Sequence, residues 1–336
     1  MNPLTFSILR LLSDNEFHSG PAIAEALGVS RASVSNVLRD ADEAGLTIHK
    51  IKGRGYRLLD QVQWLERNTI LEYLGHQADK LGHQADKFNL EILDTVDSTN
   101  SLLLHEADNR LSLGDGLIHV VAAELQTKGR GRRGRQWHSG LGVGLAFSVL
   151  WRFQQSASFL SGLSLAIGVA IVRALESSGI QGAVLKWPND VMFNFCKLAG
   201  ILIELHGDML GPTVAVIGVG MNLKLSDSVQ ARIDQGATDI FSISGEMPDR
   251  NKLLAELLLN IARVLREFEQ SGFTPFKEEW VDRHVCEGKA VTLKLPDGSG
   301  QEGMVHGISD SGSLLLQTSL GLRSFSGGEI SLRRTA

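Results

Sequence analysis

Apolar and polar residues along the chain follow two rhythms, and the changes of rhythm divide it. Over residues 3–13, Leu4, Ile8, Leu11 and Leu12 fall on one face of a helix. Ser19 can cap a second helix, with Pro21 at an early position where a missing N–H does no harm. Ile23, Ala24, Leu27, Gly28, Val29, Ser30, Val34 and Val37 then follow at the spacing of a helix-turn-helix. Ala24 is small where the helices cross, Gly28 permits the turn, and Ser30 caps the second helix. Residues 48–58 alternate and turn on Gly53 and Gly55, as a basic β-wing does. From about Asn89 strands and helices mix. The turn Ser98-Thr99-Asn100 opens a helix, Leu117 to Leu125 is an apolar strand, and Val143, Leu145, Phe147, Val149 and Trp151 alternate as in a half-buried strand. Helical spacing covers Leu160 to Ser178, ending near Gly179, and Lys252 to Glu269. Residues 184–186, 199–204 and 214–219 read as further strands. From about Lys289 only strands and turns remain, at 291–293, 303–308, 314–316 and 329–332, with a turn at Pro296-Asp297-Gly298. The pattern predicts an α+β protein: a winged helix-turn-helix, a central mixed sheet, and a small C-terminal β-barrel.

A chain of 336 residues is too long for one ordinary core. The expected division is a DNA-binding domain at 1–64, a linker at 65–88, a central domain at 89–272 and a C-terminal domain at 273–336. The net charge of −5 argues against a whole-protein grip on nucleic acid, so any DNA contact must be local. Arg31, Ser33, Asn36 and Arg39 lie on the expected exposed face of the second helix of the motif and can reach base edges or phosphates. Asp40, Asp42 and Glu43 keep that segment near neutral, which predicts weak binding by a monomer; a dimer would double the contacts. Two cysteines, Cys196 and Cys286, make no disulfide framework, and the N-terminus has no signal-peptide pattern. No apolar run is long enough to span a bilayer, so a cytoplasmic protein with no membrane partner is expected. Leu74 to Lys80 recurs at once as Leu81 to Lys87, a tandem heptad read as a duplication tolerated in a linker or at a helix end.

The chemistry concentrates in Gly129-Arg130-Gly131-Arg132-Arg133-Gly134-Arg135-Gln136-Trp137, between two strands. Glycines allow close backbone approach, and arginine forks match phosphate and carboxylate oxygens, so such a loop can wrap a small anion. A solvated basic turn or a nucleic-acid patch would look the same in isolation. Further motifs flank it: Asp97-Ser98-Thr99-Asn100 before, then Lys186-Trp187-Pro188-Asn189-Asp190, Lys197 to Glu204, and Val216 to Asn222. In this order they resemble the biotin protein ligases. With the N-terminal segment, the resemblance narrows to the bifunctional kind, a biotin–carboxylase ligase that is also the biotin operon repressor, and it runs over nearly the whole chain.

That resemblance implies a biotin/lipoate-ligase-like catalytic domain and an SH3-like C-terminal barrel. It also implies formation of biotinyl-5′-AMP from biotin and ATP with Mg²⁺, then transfer to a lysine of a biotin carboxyl carrier protein. Lys186 and Arg132 are expected to be catalytic. Ser98, Thr99, Asn100, Gln126, Arg130, Gly131 and Asn222 would join them in binding biotin or the adenylate, and Asp190 is the candidate Mg²⁺ ligand. Trp137 and Trp187 read equally as pocket walls or core, and Gly200 and Gly220 as sites of close approach. Operator DNA and a homodimer loaded with biotinyl-5′-AMP are the implied partners of the head. A biotin-sensing regulator without catalysis is the competing class. A lipoate-type ligase is another, sharing Lys186 to Asp190, although the arginine loop and the head favour biotin. One departure concerns Ser226 to Asp239, where the family orders a loop over the adenine: no aromatic is present to cover the ring.

Overall fold

The computed structural model describes residues 3–43, 47–59, 62–80, 87–112, 116–207, 211–233, 236–295, 299–326 and 331–334. The head begins with α1 (Pro3–Leu11), followed by α2 (Gly20–Ala26) and α3 (Arg31–Glu43). Ser19 Oγ accepts from the Ala22 N–H at 3.2 Å, and Ser30 Oγ from the Ser33 N–H at 3.0 Å, so both expected caps are made. Gly28 turns between the two helices at φ +63°, a backbone conformation that side chains disfavour. Ile23, Ala24, Val34 and Val37 are buried against Phe6, Ile8 and Leu9 of α1. Strands β1 (Ile48–Ile51) and β2 (Gly55–Leu58) pair antiparallel as the wing.

An extended strap at 62–66 leads to α4 (Arg67–Lys80). The core then runs β3 (Phe88–Val96), α5 (Thr99–Ser112), β4 (Ile118–Gln126), β5 (Gly144–Phe153), α6 (Leu163–Ser177), β6 (Val184–Lys186), β7 (Asp190–Phe193), β8 (Cys196–His206) and β9 (Thr213–Asn222). Two short helices, α7 (Asp227–Gln230) and α8 (Ile240–Ser244), precede the long α9 (Arg250–Ser271) and α10 (Lys277–Asp282). The seven strands form a mixed sheet in the order β3-β4-β5-β9-β8-β7-β6, parallel only between β3 and β4. Leu103 and Ala107 of α5 cover one face, and α6 with α9 the other. This explains one difference from the alternation rule: in β5 every residue from Gly144 to Leu150 is buried, because a central strand covered by helices on both sides has no wet face.

The last strands are β10 (Ala290–Lys294), β11 (Gly300–Ile308), β12 (Leu314–Thr318), β13 (Gly321–Phe325) and β14 (Ser331–Arg334). They form a five-stranded antiparallel sheet in the order β13-β12-β11-β10-β14, as the small barrel requires. The expected turn at 296–298 lies outside the described residues, as does most of the second heptad copy. The first copy ends α4, and Leu74 within it is buried in the main core together with Leu65 and Ile70. The segment read as a linker is thus largely a helix of the core, held by its apolar face. Phe273, Phe276 and Trp280, beyond the expected boundary at 272/273, are buried in the same core.

Candidate active site

The arginine loop is stitched to itself. The Gly131 N–H donates to the Arg135 carbonyl at 2.7 Å, the Arg135 N–H to the Arg132 carbonyl at 3.2 Å, and the Trp137 N–H to the Gly129 carbonyl at 2.9 Å. Arg133 sits at φ 56°, ψ 39°, which a residue with a side chain rarely adopts. Asp97 clips the strand that leads into the loop: its carboxylate accepts from the Thr127 hydroxyl at 2.7 Å and the Lys128 ammonium at 2.9 Å. The Thr127 hydroxyl first, and Lys128 second, hold that carboxyl below its ordinary range.

The loop walls a cleft of about 750 Å³, within the range of small-ligand sites. Lys186 at the end of β6 and Arg132 of the loop line it, as do Trp137, Asn189, Asp190, Lys197, Arg232 and Asn222. Among its described lining residues Asp190 is the only carboxylate, facing seven lysines and arginines. Such a cavity selects a polyanion. Lys197 Nζ approaches Asp190 at 2.6 Å, while Lys186 makes no ion pair among the described residues. Arg132 Nη1 donates to Asn189 Oδ1 at 3.1 Å, and Asn189 Nδ2 to the Ile201 carbonyl at 2.8 Å. Burial lowers the Arg132 pKa from its ordinary value, neighbouring Arg133 adds to this, and Asp190 opposes it.

Ser98, Thr99 and Asn100 are all buried at the start of α5. Ser98 Oγ accepts from the Ser101 N–H at 3.4 Å, a helix cap. Gln126, which lines the cleft, accepts at Oε1 from the Thr99 N–H at 2.9 Å and the Thr99 hydroxyl at 3.2 Å. Asn100 Nδ2 donates to the Leu202 carbonyl at 3.1 Å and to Glu204 at 2.9 Å, and Ser148 of β5 donates to Asn100 Oδ1 at 2.6 Å. Arg130 forks onto Glu204, at 2.9 Å through Nη1. Sequence reasoning passed over Ser148, and Glu204 stood only as the last residue of the Lys197 to Glu204 motif, with no role of its own. A lone serine inside the apolar run Leu145 to Leu150 was the available signal for Ser148.

Asn222 is buried, and its amide donates to the carbonyls of Thr238 at 3.1 Å and Lys197 at 3.4 Å. It therefore fastens the end of the 226–239 loop to β8, and that loop presents Arg232, Ile233 and Ala237 to the cleft. Trp187 is buried core that also borders the cleft, with its indole N–H donating to the Gly312 carbonyl at 3.0 Å; its peptide bond to Pro188 is cis. Trp137 is a half-buried wall of the same cleft. A Cβ added at Gly220 would lie 2.4 Å from its ring, so the close approach read at that glycine is made by the indole.

In the head, Arg31, Asn36 and Arg39 are exposed on α3 as expected, while the Ser33 hydroxyl lies 2.8 Å from that of Ser30. Among the described residues no group of three His, Cys, Asp or Glu side chains is placed to hold a metal, and no helix is long and apolar enough to cross a membrane.

A cation-lined cleft on a mixed sheet, a stitched arginine loop and a winged head together define an anion-binding domain joined to a helix-turn-helix module. The sequence pattern of the biotin/lipoate A/B protein ligase family matches residues 92–222, that of the biotin protein ligase C-terminal domain residues 288–333, and a helix-turn-helix pattern residues 5–57. The bifunctional ligase/repressor BirA of Salmonella typhimurium is 36% identical over 98% of this chain and 97% of its own. That of Escherichia coli is 34% identical over 99% and 98%. The biotin protein ligase of Aquifex aeolicus, solved with biotin and ATP, superposes with a TM-score of 0.60 at 31% identity, over 74% of this chain and 99% of its own. The chain belongs to the bifunctional biotin protein ligase/repressor family.

Proposed function

We propose that the chain activates biotin with ATP, forming biotinyl-5′-AMP and pyrophosphate, and passes the biotinyl group to a lysine of a biotin carboxyl carrier protein. The observation that carries this reading is the pair of cations facing the cleft, Lys186 on the sheet and the desolvated Arg132 on the loop. In the first step a biotin carboxylate oxygen bonds to the α-phosphorus and the bond to pyrophosphate breaks. Two anions must meet, and charge builds on the phosphoryl and leaving oxygens. Preorganised cations in a water-poor cleft stabilise that charge without reorganising. Lys186 bridges carboxylate and α-phosphate, and Arg132 holds the adenylate. In the second step the acceptor amine attacks the acyl carbon, AMP leaves with the bonding electrons, and the amine loses a proton. Neither cysteine takes part.

Among the described residues the donors do not make a resident metal site. Asp190, the expected Mg²⁺ ligand, is engaged by Lys197 and stands alone as a carboxylate among the described lining residues. In this reading Mg²⁺ would come with ATP as part of the substrate, whose phosphate oxygens suit a hard cation. In the same reading α3 presents Arg31, Asn36 and Arg39, with Ser33 beside them, to operator DNA. The chain acts there as a homodimer with biotinyl-5′-AMP as corepressor of biotin-synthesis genes, in the reducing cytoplasm.

The test is incubation with labelled biotin, MgATP and an apo carrier domain, alongside Lys186→Ala. ATP-dependent label on the carrier, falling about 100-fold or more in the variant, supports the ligase and the role of Lys186. Tight biotin binding and biotin-dependent DNA shifts with no transfer would leave a sensor-regulator and overturn the enzyme reading.

A further inference from the structure

We propose that Glu204 is a positioning residue for the adenylation step: it tethers the arginine loop to the wall of the cleft through Arg130, so that Arg130 acts as an anchor and Arg132 as the cation that meets substrate. The inference rests on the ligase reading above.

Three elements converge on this one carboxylate. Glu204 lies near the end of β8 with its side chain about one-quarter exposed. Both terminal nitrogens of Arg130 reach it, one to each oxygen, the geometry in which an arginine fork is most strongly oriented. Asn100 Nδ2 donates to the same group at 2.9 Å, and Asn100 is itself fixed by Ser148, which is fully buried in the centre of the sheet. A hydrogen-bonded line thus runs from the sheet interior through α5 and β8 to the exposed base of the loop. Close packing holds the line in register, since a Cβ at Gly218 of β9 would lie 2.2 Å from Asn100 Oδ1.

The line divides the two neighbouring arginines. Arg130 has its charge matched by Glu204 and its side chain is 41% exposed. Arg132, two residues on, is half-buried and hydrogen-bonds to Asn189 at 3.1 Å, on the segment that carries Lys186. With Arg130 tied down at the loop's entrance and the Gly131–Arg135 bond closing it, Arg132 is left pointing across the cleft. A partly exposed ion pair contributes little to global stability, so the value of this one lies in where it puts the loop.

Glu204→Gln isolates the tether. The glutamine oxygen still accepts from Asn100, but its amide meets the Arg130 fork with hydrogens instead of an oxygen. The full-length protein, Glu204→Gln, Arg130→Met and the double variant are compared in biotin- and ATP-dependent release of pyrophosphate. In the ligand-free state they are compared in the rate at which trypsin cuts at the loop arginines. Both single variants should lower kcat/KM by about tenfold to a hundredfold, with melting temperature nearly unchanged and faster cutting in the loop. The double variant should be no worse than the worse single one, because both remove one tether. Glu204→Asp, which keeps the charge, should recover part of the loss.

If Arg130 is instead a substrate-binding cation masked by Glu204, Glu204→Gln will match or exceed wild type while Arg130→Met alone is crippled, and the proposal fails. Additive losses in the double variant also overturn it, as does unchanged trypsin sensitivity. A wild-type protein that releases no pyrophosphate would sink the ligase reading itself, a result distinguishable from an active wild type with a neutral Glu204→Gln.

Discussion

Gly220 shows what one missing methyl group permits. With no side chain there, the Trp137 indole lies against β9, and Lys197 Nζ sits 5.8 Å from the ring centre. Gly220→Ala should push the indole off the strand and narrow the cleft, raising KM for biotin or ATP about tenfold, near 1.4 kcal/mol. Steady-state kinetics with tryptophan fluorescence check this, and an unmoved emission maximum with wild-type KM would refute it. His284 supplies a second residue-scale prediction. It is buried against Trp280, ring centres 4.5 Å apart, and its Nε2 has no partner among the described residues. Burial pushes its pKa below the ordinary 6.5; Glu287 opposes and Lys289 adds to the shift. The folded protein thus binds fewer protons there than the unfolded chain. Its contribution to stability is present above about pH 6.5 and is lost as pH falls through the lowered folded value. The melting temperature of wild type should drop between pH 7 and 5, and His284→Gln should flatten that slope. Glycine read from sequence announces a close approach, but not which side chain makes it.

At the scale of elements, the strap at 62–66 was legible only as a gap between patterns. The structure fills it with buried polar chemistry. Arg250 at the start of α9 and Glu124 of β4 form an ion pair with both side chains fully buried, 2.8 Å apart. Glu124 Oε1 also accepts the Leu65 N–H at 2.7 Å, and Arg250 donates to the carbonyls of Gln63 and Gly144, the latter at 3.0 Å. Asn251 takes the next strap groups, donating to the Trp64 carbonyl and accepting from the Glu66 N–H. Removing one partner leaves a charge stranded in the interior, so Glu124→Gln or Arg250→Met should each cost about 3–5 kcal/mol. The double variant should cost less than their sum, in denaturant unfolding with a cycle analysis. Equal and additive losses would show that the pair does not hold the strap. Sequence periodicity located β4 and α9 to within a few residues, yet gave no reason to pair a glutamate with an arginine 126 positions later.

For the molecule as a whole, the head is docked. Val62 and Leu141 are buried with the head's own core. Trp64 packs edge-on against Phe6, with Arg10 4.5 Å above its ring, and its indole N–H donates to Ser13 Oγ at 2.8 Å. Gly142, five residues past Trp137, turns at φ +72°, where a Cβ would lie 2.8 Å from Val62. The segment leaving the cleft therefore abuts the strap leaving the head. The face proposed to meet DNA stays outside this contact, because Arg31, Asn36 and Arg39 are exposed. Replacing Arg31 or Arg39 by alanine should weaken operator binding and lower the salt slope by about one per lost phosphate contact. Ligase turnover should be unaltered. Gel shifts across a salt series decide it, and an unchanged slope in both variants would place the DNA face elsewhere.

The sequence by itself determined the elements, their order and the family. Helical and strand periods, caps at Ser19 and Ser30, and glycines at turns are local properties, written into neighbouring residues. The arginine loop and the Lys186 segment were recognisable for the same reason, since each is contiguous. Only the tertiary structure decided which arginine pairs with Glu204 and which reaches Asn189 across the cleft. It also decided that Asn100 and Asn222 brace the cleft walls through backbone carbonyls, that Trp187 is buried and Trp137 half-buried at the cleft, and that α4 belongs to the core. Each depends on partners brought together from distant strands, and burial and charge pairing are properties of those juxtapositions, which no local pattern of residues encodes.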